Sequence, residues 1–262
     1  MSAVIALANQ KGGVGKTTTA INLGAALAMH GKQVLIFDFD PQANSSAGLG
    51  IRPDGATTYE VVIEGLPVVD IAVPTSIEGL TLAPAAPALA GAEVELVPMM
   101  AREFRLKRAL DAVREAYDYI LIDCPPSLGL LTVNALAAAD EVIVPVQCEY
   151  LALEGLSQLT STLELVRRNL NSSLRLRGLL LTMFDGRTNL SQQVADEVRA
   201  HFANTFATVI PRSVRLSEAP SHGLAISQYD PSSRAARAYG ELAIELINPD
   251  GPHGRSRTEV PA

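Results

Sequence analysis

The glycine-rich segment Lys11-Gly12-Gly13-Val14-Gly15-Lys16-Thr17-Thr18 is the most informative part of this sequence. Its end matches the phosphate-binding template G-x-x-x-x-G-K-[ST], although Gln10 occupies the first glycine position of that template. The apolar run 4–8 before the stretch predicts a buried strand, and the pattern of 18–30 after it predicts a helix. Strand, glycine-rich loop and helix in this order predict a site for a phosphorylated ligand.

The chemistry of the loop is that of an anion cradle. Its glycines let backbone N–H groups turn inward, and the N-terminus of the following helix adds its dipole. We expect Lys16 to reach the outer phosphates of a triphosphate and the Thr17 hydroxyl to ligate a magnesium ion that bridges two of them. A turn that only joins strand to helix is the alternative, but it does not explain the lysine and two threonines. The predicted nucleotide ligands are Lys11, Gly12, Gly13, Val14, Gly15, Lys16, Thr17 and Thr18.

Lys11 indicates which kind of phosphate-binding loop this is. A second lysine at the entrance of the loop resembles the deviant Walker A motif of the ParA and MinD ATPases. The resemblance implies that Lys11 crosses a dimer interface and contacts the nucleotide bound by the partner subunit. A cation supplied in this way would stabilise charge on the transferring phosphoryl group, as an arginine finger does. Hydrolysis would then depend on dimerisation.

Two further apolar runs end in aspartates. Run 33–37 is followed by Asp38 and Asp40, and run 120–122 is followed by Asp123. The carboxyl ends of parallel strands meet at the ligand-binding edge of such sheets, so these acids are expected near the loop. An isolated aspartate at a strand end caps a turn as often as it has a functional role. The group of three is what indicates a metal and water site.

The roles of the three acids follow from a resemblance. The block IFDFDPQAN, residues 36–44, resembles the VDLDPQGN stretch of ParA proteins, in which the second aspartate positions the attacking water and the first supports the metal shell. Asp123 is interpreted as the Walker B acid, which holds magnesium through water. The resemblance thus implies Lys11, Lys16 and Asp40 as catalytic residues, and Thr17, Asp38 and Asp123 as the magnesium site.

Length and composition favour one large α/β domain. The chain has 262 residues, 48% of them hydrophobic, which suits a doubly wound, mostly parallel sheet flanked by helices. Beyond the elements already named, the apolar pattern predicts strands over 80–82, 141–146 and 176–183 and helices over 57–64, 103–115 and 153–169. No run of 18 apolar residues occurs, so no membrane span is predicted. Cys124 and Cys148 are expected to be buried free thiols, and with no signal peptide recognised they point to the cytoplasm.

Basic residues are concentrated in one part of this acidic chain. The net charge is −7, yet residues 167–237 contain ten arginines against five acidic residues, an excess of five positive charges. Such a concentration is typical of contacts with DNA phosphates, although solvated helix faces explain many arginine clusters equally well. The candidate DNA-binding residues are Arg187, Arg212, Arg215, Arg234 and Arg237.

The segment 210–223, IPRSVRLSEAPSHG, closely resembles chromosomal ParA proteins of the Soj type. In that family its start lies against adenine, which implies that Pro211 packs on the base and that Ser213, where relatives often have Asn, offers a hydrogen bond. The segment 89–96, LAGAEVEL, resembles a ParA helix near the dimer interface, so the Pro- and Ala-rich stretch before it is not a linker. We therefore expect a ParA-type P-loop ATPase domain over 1–248 and a disordered tail over 249–262.

The resemblance implies an ATP-dependent DNA-segregation switch with ATP and Mg²⁺ as cofactors. Two ATP-bound subunits would close into a homodimer, bind double-stranded DNA without sequence preference, and release it after hydrolysis stimulated by a ParB-type centromere-binding protein. The protein would be cytoplasmic and associated with the nucleoid.

Three other functions are possible on this scaffold. A MinD-like membrane-cycling regulator needs a C-terminal amphipathic helix, which the Pro- and Gly-containing stretch 249–262 does not predict. An iron–sulfur reductase of the nitrogenase iron-protein type needs cysteines that this chain lacks. A ParA relative that positions a protein cargo remains open, because nothing in the sequence distinguishes the cargo.

Overall fold

Seven strands form one sheet at the centre of the protein. The structure is a computed structural model and describes residues 2–149 and 154–248. In chain order the strands are β1 (Ala3–Leu7), β2 (Val34–Asp38), β3 (Val73–Pro74), β4 (Leu80–Ala83), β5 (Tyr119–Asp123), β6 (Glu141–Gln147) and β7 (Arg175–Thr182). Their order across the sheet is β3-β4-β2-β5-β1-β6-β7, and every neighbouring pair is parallel except β3 with β4. The doubly wound, mostly parallel sheet in a single domain is thereby confirmed.

Helices cover both faces of the sheet. They are α1 (Lys16–Met29), α2 (Asn44–Gly48), α3 (Thr58–Ile63), α4 (Val68–Ile71), α5 (Leu89–Glu95), α6 (Arg105–Asp111), α7 (Leu130–Ala138), α8 (Glu154–Asn169), α9 (Asn189–His201), α10 (Val214–Glu218), α11 (Ile226–Tyr229) and α12 (Arg234–Ile247). Short 3-10 turns lie at Arg102–Phe104, Arg114–Ala116 and Ala219–His222.

The core is divided into two apolar layers by the sheet. Alternate residues of a strand point to opposite faces, so Val4 and Ala6 of β1 join one layer while Ile5 and Leu7 join the other. The first layer contains the buried residues of α5, α6, α7 and α8, and the second contains those of α1 and α12. Because both faces are covered, the central strands are continuous apolar runs.

The predicted strands and the helices at 18–30, 57–64 and 89–96 agree with the structure to within about two residues at each end. The helix predicted over 103–115 is interrupted, and only α6 within it is α-helical. The Val113 N–H bonds to Leu110 O, three residues back, so the helix tightens into a 3-10 turn there. The stretch before α5 is no linker, since Ala85 and Leu89 are buried in the core.

Two predictions concern residues that lie partly or wholly outside the described ranges. The tail predicted over 249–262 lies outside the described residues, as does Leu153, the first residue of the helix predicted over 153–169.

Cys124 and Cys148 are both buried and not joined by a disulfide. Within residues 2–149 and 154–248, no helix has the length and apolar character needed to cross a bilayer.

Candidate functional site

The strand order brings the glycine-rich loop and two of the acids to one edge of the sheet. β5 lies between β1 and β2, and Asp123 at its end is the register partner of both Leu7 and Asp38. The loop leaves the sheet directly after β1. The chain segments predicted to bind phosphate and metal therefore meet at the carboxyl ends of three adjacent strands, as expected for this class of sheet.

The loop has the backbone geometry of an anion cradle. Gly13 and Gly15 have φ values of 73° and 92°, in the left-handed region that favours glycine. Helix α1 begins immediately after, at Lys16, and no side chain among the described residues caps its N-terminus. Backbone N–H groups at that terminus are thus available to an anion, and the helix dipole favours one.

Two polar side chains outside the motif hold the loop in place. The Asn9 amide donates to Pro145 O (2.8 Å) and accepts from Lys11 N (3.0 Å), and the Thr182 hydroxyl donates to Val14 O (2.8 Å). Sequence reasoning missed both residues. Asn9 could have been noticed as a polar residue between an apolar strand and the loop, but the approach of Thr182 depends on the position of β7.

The two lysines of the loop have different environments. Lys16 is only 6% exposed, and its Nζ donates to Lys11 O at 3.2 Å. Burial lowers the pKa of Lys16, while the negative charges of Asp123 and Asp40 act in the opposite direction. Lys11 is partly exposed, and its ammonium has no hydrogen-bond or salt-bridge partner within the described part of the chain. The Lys16 ammonium is thus held at the phosphate loop of its own chain, whereas the Lys11 ammonium is free to contact a further group.

Consecutive serines of α2 orient the two acids at the strand ends. The Ser46 N–H and hydroxyl both donate to Asp38 Oδ2, at 2.9 and 2.7 Å, and the Ser45 hydroxyl donates to Asp123 Oδ2 at 2.8 Å. All four residues are buried. These serines were also missed, because α2 has only five residues and a serine pair after Asp38 and Asp40 is typical of a loop.

The acids fit a divalent cation. Asp123 Oδ1 is buried and has no hydrogen-bond partner of acceptable geometry among the described residues. Burial, followed by the charge of Asp38, raises the pKa of Asp123, and the nearby Thr17 hydroxyl lowers it by less. Burial likewise raises the pKa of Asp38. A cation beside the pair would reverse both shifts and supply the missing partner of Oδ1.

The site is not a complete metal cage. Across residues 2–149 and 154–248, no group of three His, Cys, Asp or Glu side chains is disposed to hold a metal by itself. Magnesium normally keeps several waters and takes phosphate oxygens as ligands, so one hydroxyl with two nearby carboxylates suits it. Thr17, Asp38 and Asp123 therefore fit a magnesium ion that is bound together with phosphates.

Asp40 lies on the same side of the chain as Asp38. Phe37 and Phe39 pack in the apolar layer with ring centroids 5.5 Å apart, so the alternating aspartates point away from that layer. Asp40 is buried, and its Oδ1 accepts the Gln42 N–H at 2.9 Å. The catalytic role of Asp40 stays a prediction.

Segment 210–213 lies along the exit of β7. Phe184 N donates to Ile210 O (3.0 Å) and Arg212 N donates to Phe184 O (2.9 Å), which places Pro211 at the same sheet edge as the loop. Ser213 precedes α10 without capping it, so its hydroxyl is available to a ligand. The adenine contacts of Pro211 and Ser213 stay predictions.

The candidate DNA-binding arginines are exposed but not all free. Arg187 is 87% exposed and forms two hydrogen bonds to Asp185, at 2.9 and 2.7 Å. Arg215 bonds Glu218 at 2.9 Å and lies 3.8 Å from Asp230. Arg212, Arg234 and Arg237 are at least partly exposed. Acidic neighbours thus reduce the local positive charge around Arg187 and Arg215.

The arginine-rich segment is also not one surface. Arg175 and Arg177 lie at the start of β7, at the edge of the sheet opposite the loop, and both bond Glu141. The excess of five positive charges counted along 167–237 therefore overstates the charge of any single face.

Known proteins resemble this chain over nearly its whole length. A family model described as an AAA domain matches residues 2–176. The sporulation initiation inhibitor protein Soj of Bacillus subtilis is 57% identical, with 94% of this chain and 98% of Soj covered. The chromosome partitioning protein ParA of Myxococcus xanthus is 52% identical, with coverage of 97% and 91%.

Solved structures share the fold. A cobyrinic acid a,c-diamide synthase from Mycobacterium smegmatis, with bound ATP analogue and magnesium, has a TM-score of 0.86 and 40% identity, covering 98% of this chain and 100% of its own. The septum site-determining protein MinD from Pyrococcus horikoshii, complexed with Mg-ADP, has a TM-score of 0.78 and 26% identity, covering 96% and 98%. Together with the double-lysine loop, these similarities show that the chain belongs to the Soj/ParA family of chromosome-partitioning ATPases, in the ParA/MinD superfamily.

Proposed function

We propose that this protein is an ATP-dependent DNA-segregation switch. The observation that supports this most is the pair of lysines in one loop: Lys16 is buried toward its own site, whereas the Lys11 ammonium has no partner among the described residues. One lysine suffices to bind a triphosphate. A second, unpaired lysine beside it would have a role if a second subunit placed its own bound nucleotide next to that lysine.

ATP with magnesium is the proposed ligand of the loop. Bound magnesium would neutralise charge on the phosphates. Thr17 would ligate it directly and Asp38 and Asp123 through water, while Lys16 contacts the outer phosphates. The bound ATP analogue, magnesium and Mg-ADP named for the related structures support this assignment.

Hydrolysis is proposed to require the dimer. Asp40 would orient the attacking water, since it is buried and its N–H donates to Oδ1 of Asp38, one of the proposed metal-site residues, at 3.3 Å. Lys11 of one subunit would stabilise charge on the phosphoryl group held by the other. Hydrolysis would then be slow in the monomer and would separate the dimer once it occurs.

The dimer is proposed to bind double-stranded DNA through phosphates. Arg187, Arg212 and Arg215 belong to the segments that follow β7, at the same sheet edge as the loop, and Arg234 and Arg237 at the start of α12 would widen this face. Phosphate contacts make binding sensitive to salt and indifferent to sequence. A ParB-type protein is the proposed stimulator of hydrolysis, and the nucleoid the proposed location.

Three other functions are less well supported. The similarity to the cobyrinic acid a,c-diamide synthase is at 40% identity, below the 57% and 52% to Soj and ParA. A MinD-like membrane cycle would need an anchor, and residues 249–262, where it would lie, are outside the described part of the chain. Positioning of a protein cargo would use the same site and the same dimer.

The proposal is tested by measuring how much of the protein is retained on random-sequence duplex DNA. The measurement is made with ATP, with ADP and without nucleotide across a salt series. Anionic liposomes serve as a competing surface. We expect retention on DNA only with ATP, falling steeply with salt. ATP-dependent binding to liposomes with none to DNA would contradict the proposal and favour the MinD-like cycle.

A further inference from the structure

Glu93 connects helix α5 to the start of helix α7. Its two carboxylate oxygens accept hydrogen bonds from the backbone N–H groups of Leu130 (2.8 Å) and Leu131 (3.3 Å). Both N–H groups belong to the first turn of α7, where a helix provides no acceptor of its own. A negative charge also suits the positive end of the helix dipole. Glu93 therefore caps α7 from a separate helix.

Gly129 has no space for a side chain because of this contact. A Cβ on Gly129 would lie 2.7 Å from Oε2 and 2.8 Å from Cδ of Glu93. The backbone of Gly129 is extended, with φ −76° and ψ −170°, a conformation open to any residue. The glycine is thus explained by the approach of the Glu93 carboxylate and not by its own backbone.

The cap lies at the end of a short segment that borders the catalytic site. Residues 124–129 run from Asp123 to α7, and within them Pro126 lies against the phosphate loop, since a Cβ on Gly12 would be 3.9 Å from Pro126 Cβ. The Thr132 hydroxyl donates to Ser127 O at 2.7 Å, which ties the segment to α7. Movement of the start of α7 would therefore reach both Asp123 and Gly12.

We propose that Glu93 is a positioning residue for ATP hydrolysis. By fixing the start of α7, it holds the segment that places Asp123 beside the phosphate loop. This inference rests on the proposed function, because it concerns the same site. No hydrogen bond joins Glu93 to Asp123 or to the loop within the described residues, so its effect is transmitted through residues 124–129.

The first test compares Glu93→Ala with Glu95→Ala. Glu95 lies on the same helix but accepts a hydrogen bond from the Tyr59 hydroxyl (2.8 Å), away from α7. We expect Glu93→Ala to lower kcat about tenfold with less than about a twofold change in KM for ATP, because two amides lose their acceptor. Glu93→Gln, which keeps one acceptor oxygen, should fall between Glu93→Ala and the unmodified protein. Glu95→Ala should resemble the unmodified protein.

The second test uses Gly129→Ala in two backgrounds. In the unmodified protein this change displaces Glu93 and should lower kcat about as much as Glu93→Ala does. In the Glu93→Ala background it should add less than about a twofold loss, because the group it collides with is gone. An equal loss in both backgrounds would contradict the explanation of Gly129 and the positioning role with it.

Amide hydrogen exchange without nucleotide provides a readout independent of activity. We expect faster exchange at Leu130 and Leu131 in Glu93→Ala, and no change in Glu95→Ala. Unchanged kcat in Glu93→Ala, or a raised KM with unchanged kcat, would overturn the positioning role. If the unmodified protein hydrolyses no ATP under any condition, the proposed function fails and the role in hydrolysis with it, while the exchange rates still report whether Glu93 holds α7.

Discussion

Asp38 and Asp123 are direct neighbours across two parallel strands, with their Cα atoms in register at the ends of β2 and β5. Each is buried, and each is held by one of two consecutive serines of α2, Ser46 and Ser45 respectively. Two adjacent buried carboxylates repel each other and lose solvation, so a cation stabilises them as a charged pair. Helix α2 and the cation site should therefore depend on each other.

The first prediction concerns Ser46. Ser46→Ala removes a hydrogen bond to Asp38 and leaves the buried Ala85 N–H, which donates to Ser46 Oγ at 3.0 Å, without its acceptor. We expect a loss of about 1–3 kcal/mol in the free energy of unfolding. More magnesium should also be needed for half-maximal ATPase activity. Thermal unfolding and a magnesium titration measure these effects, with the exposed Ser232→Ala as the control. If Ser46→Ala and Ser232→Ala have the same stability and the same magnesium requirement, the cation site does not depend on α2 as proposed.

The second prediction separates nucleotide binding from hydrolysis. Asp40 is assigned to the attacking water and not to the phosphates, so Asp40→Ala should bind ATP and dimerise while hydrolysis falls at least about 100-fold. The ATP-bound dimer should then remain on DNA, as measured by light scattering and DNA retention. Asp54→Ala, at an exposed position, is the control. An Asp40→Ala protein that stays monomeric with saturating ATP would show that the role of Asp40 is different.

A third prediction compares the two lysines of the loop. Lys16→Ala removes the buried cation from the phosphates and should weaken ATP binding about 100-fold, because a charge-assisted hydrogen bond disappears. Lys11→Ala should still bind ATP as a monomer but should lose partner-stimulated turnover. Fluorescent-nucleotide titration and ATPase assays measure the two effects. Lys107→Ala on α6, where Lys107 pairs with Asp111, is the control. Normal ATP affinity in Lys16→Ala would contradict the proposed site.

The fourth prediction concerns the DNA face. Replacing Arg187 and Arg215 together by Glu should abolish ATP-dependent DNA retention while ATP-dependent dimerisation persists, since neither side chain bonds the phosphate loop. For every DNA phosphate that the protein no longer neutralises, the slope of log affinity against log salt should become shallower by roughly one unit. Replacing the exposed Arg108 and Arg168 by Glu makes the same change in net charge elsewhere and serves as the control. If both double variants lose DNA equally, net charge and not this face determines binding.

The phosphate loop could be predicted from the sequence because its determinants are local. Gly13, Gly15, Lys16 and Thr17 are within five positions, and the conformation they require is set by the missing Cβ of glycine and by the start of a helix. The acids Asp38, Asp40 and Asp123 were found for a similar reason, since each follows an apolar run. The interruption of the helix predicted over 103–115 was not predictable, because the apolar pattern continues through the tightened turn after Asp111.

Local residue patterns are enough to specify which elements form and which groups bear charge: the apolar strands, the glycine-rich loop, the aspartates at strand ends and the arginine-rich segment. Which of these groups act together depends on how the strands are ordered in the sheet. Asn9 reaches Pro145, Ser45 reaches Asp123, and Glu93 reaches Leu130 only because the strand order places distant segments side by side. The strand order also placed Arg175 at the opposite edge of the sheet, where it pairs with Glu141. Hydrogen bonds and ion pairs act over a few ångströms. For residues far apart in the sequence, the distance between their side chains is set only when the strands assemble into the sheet.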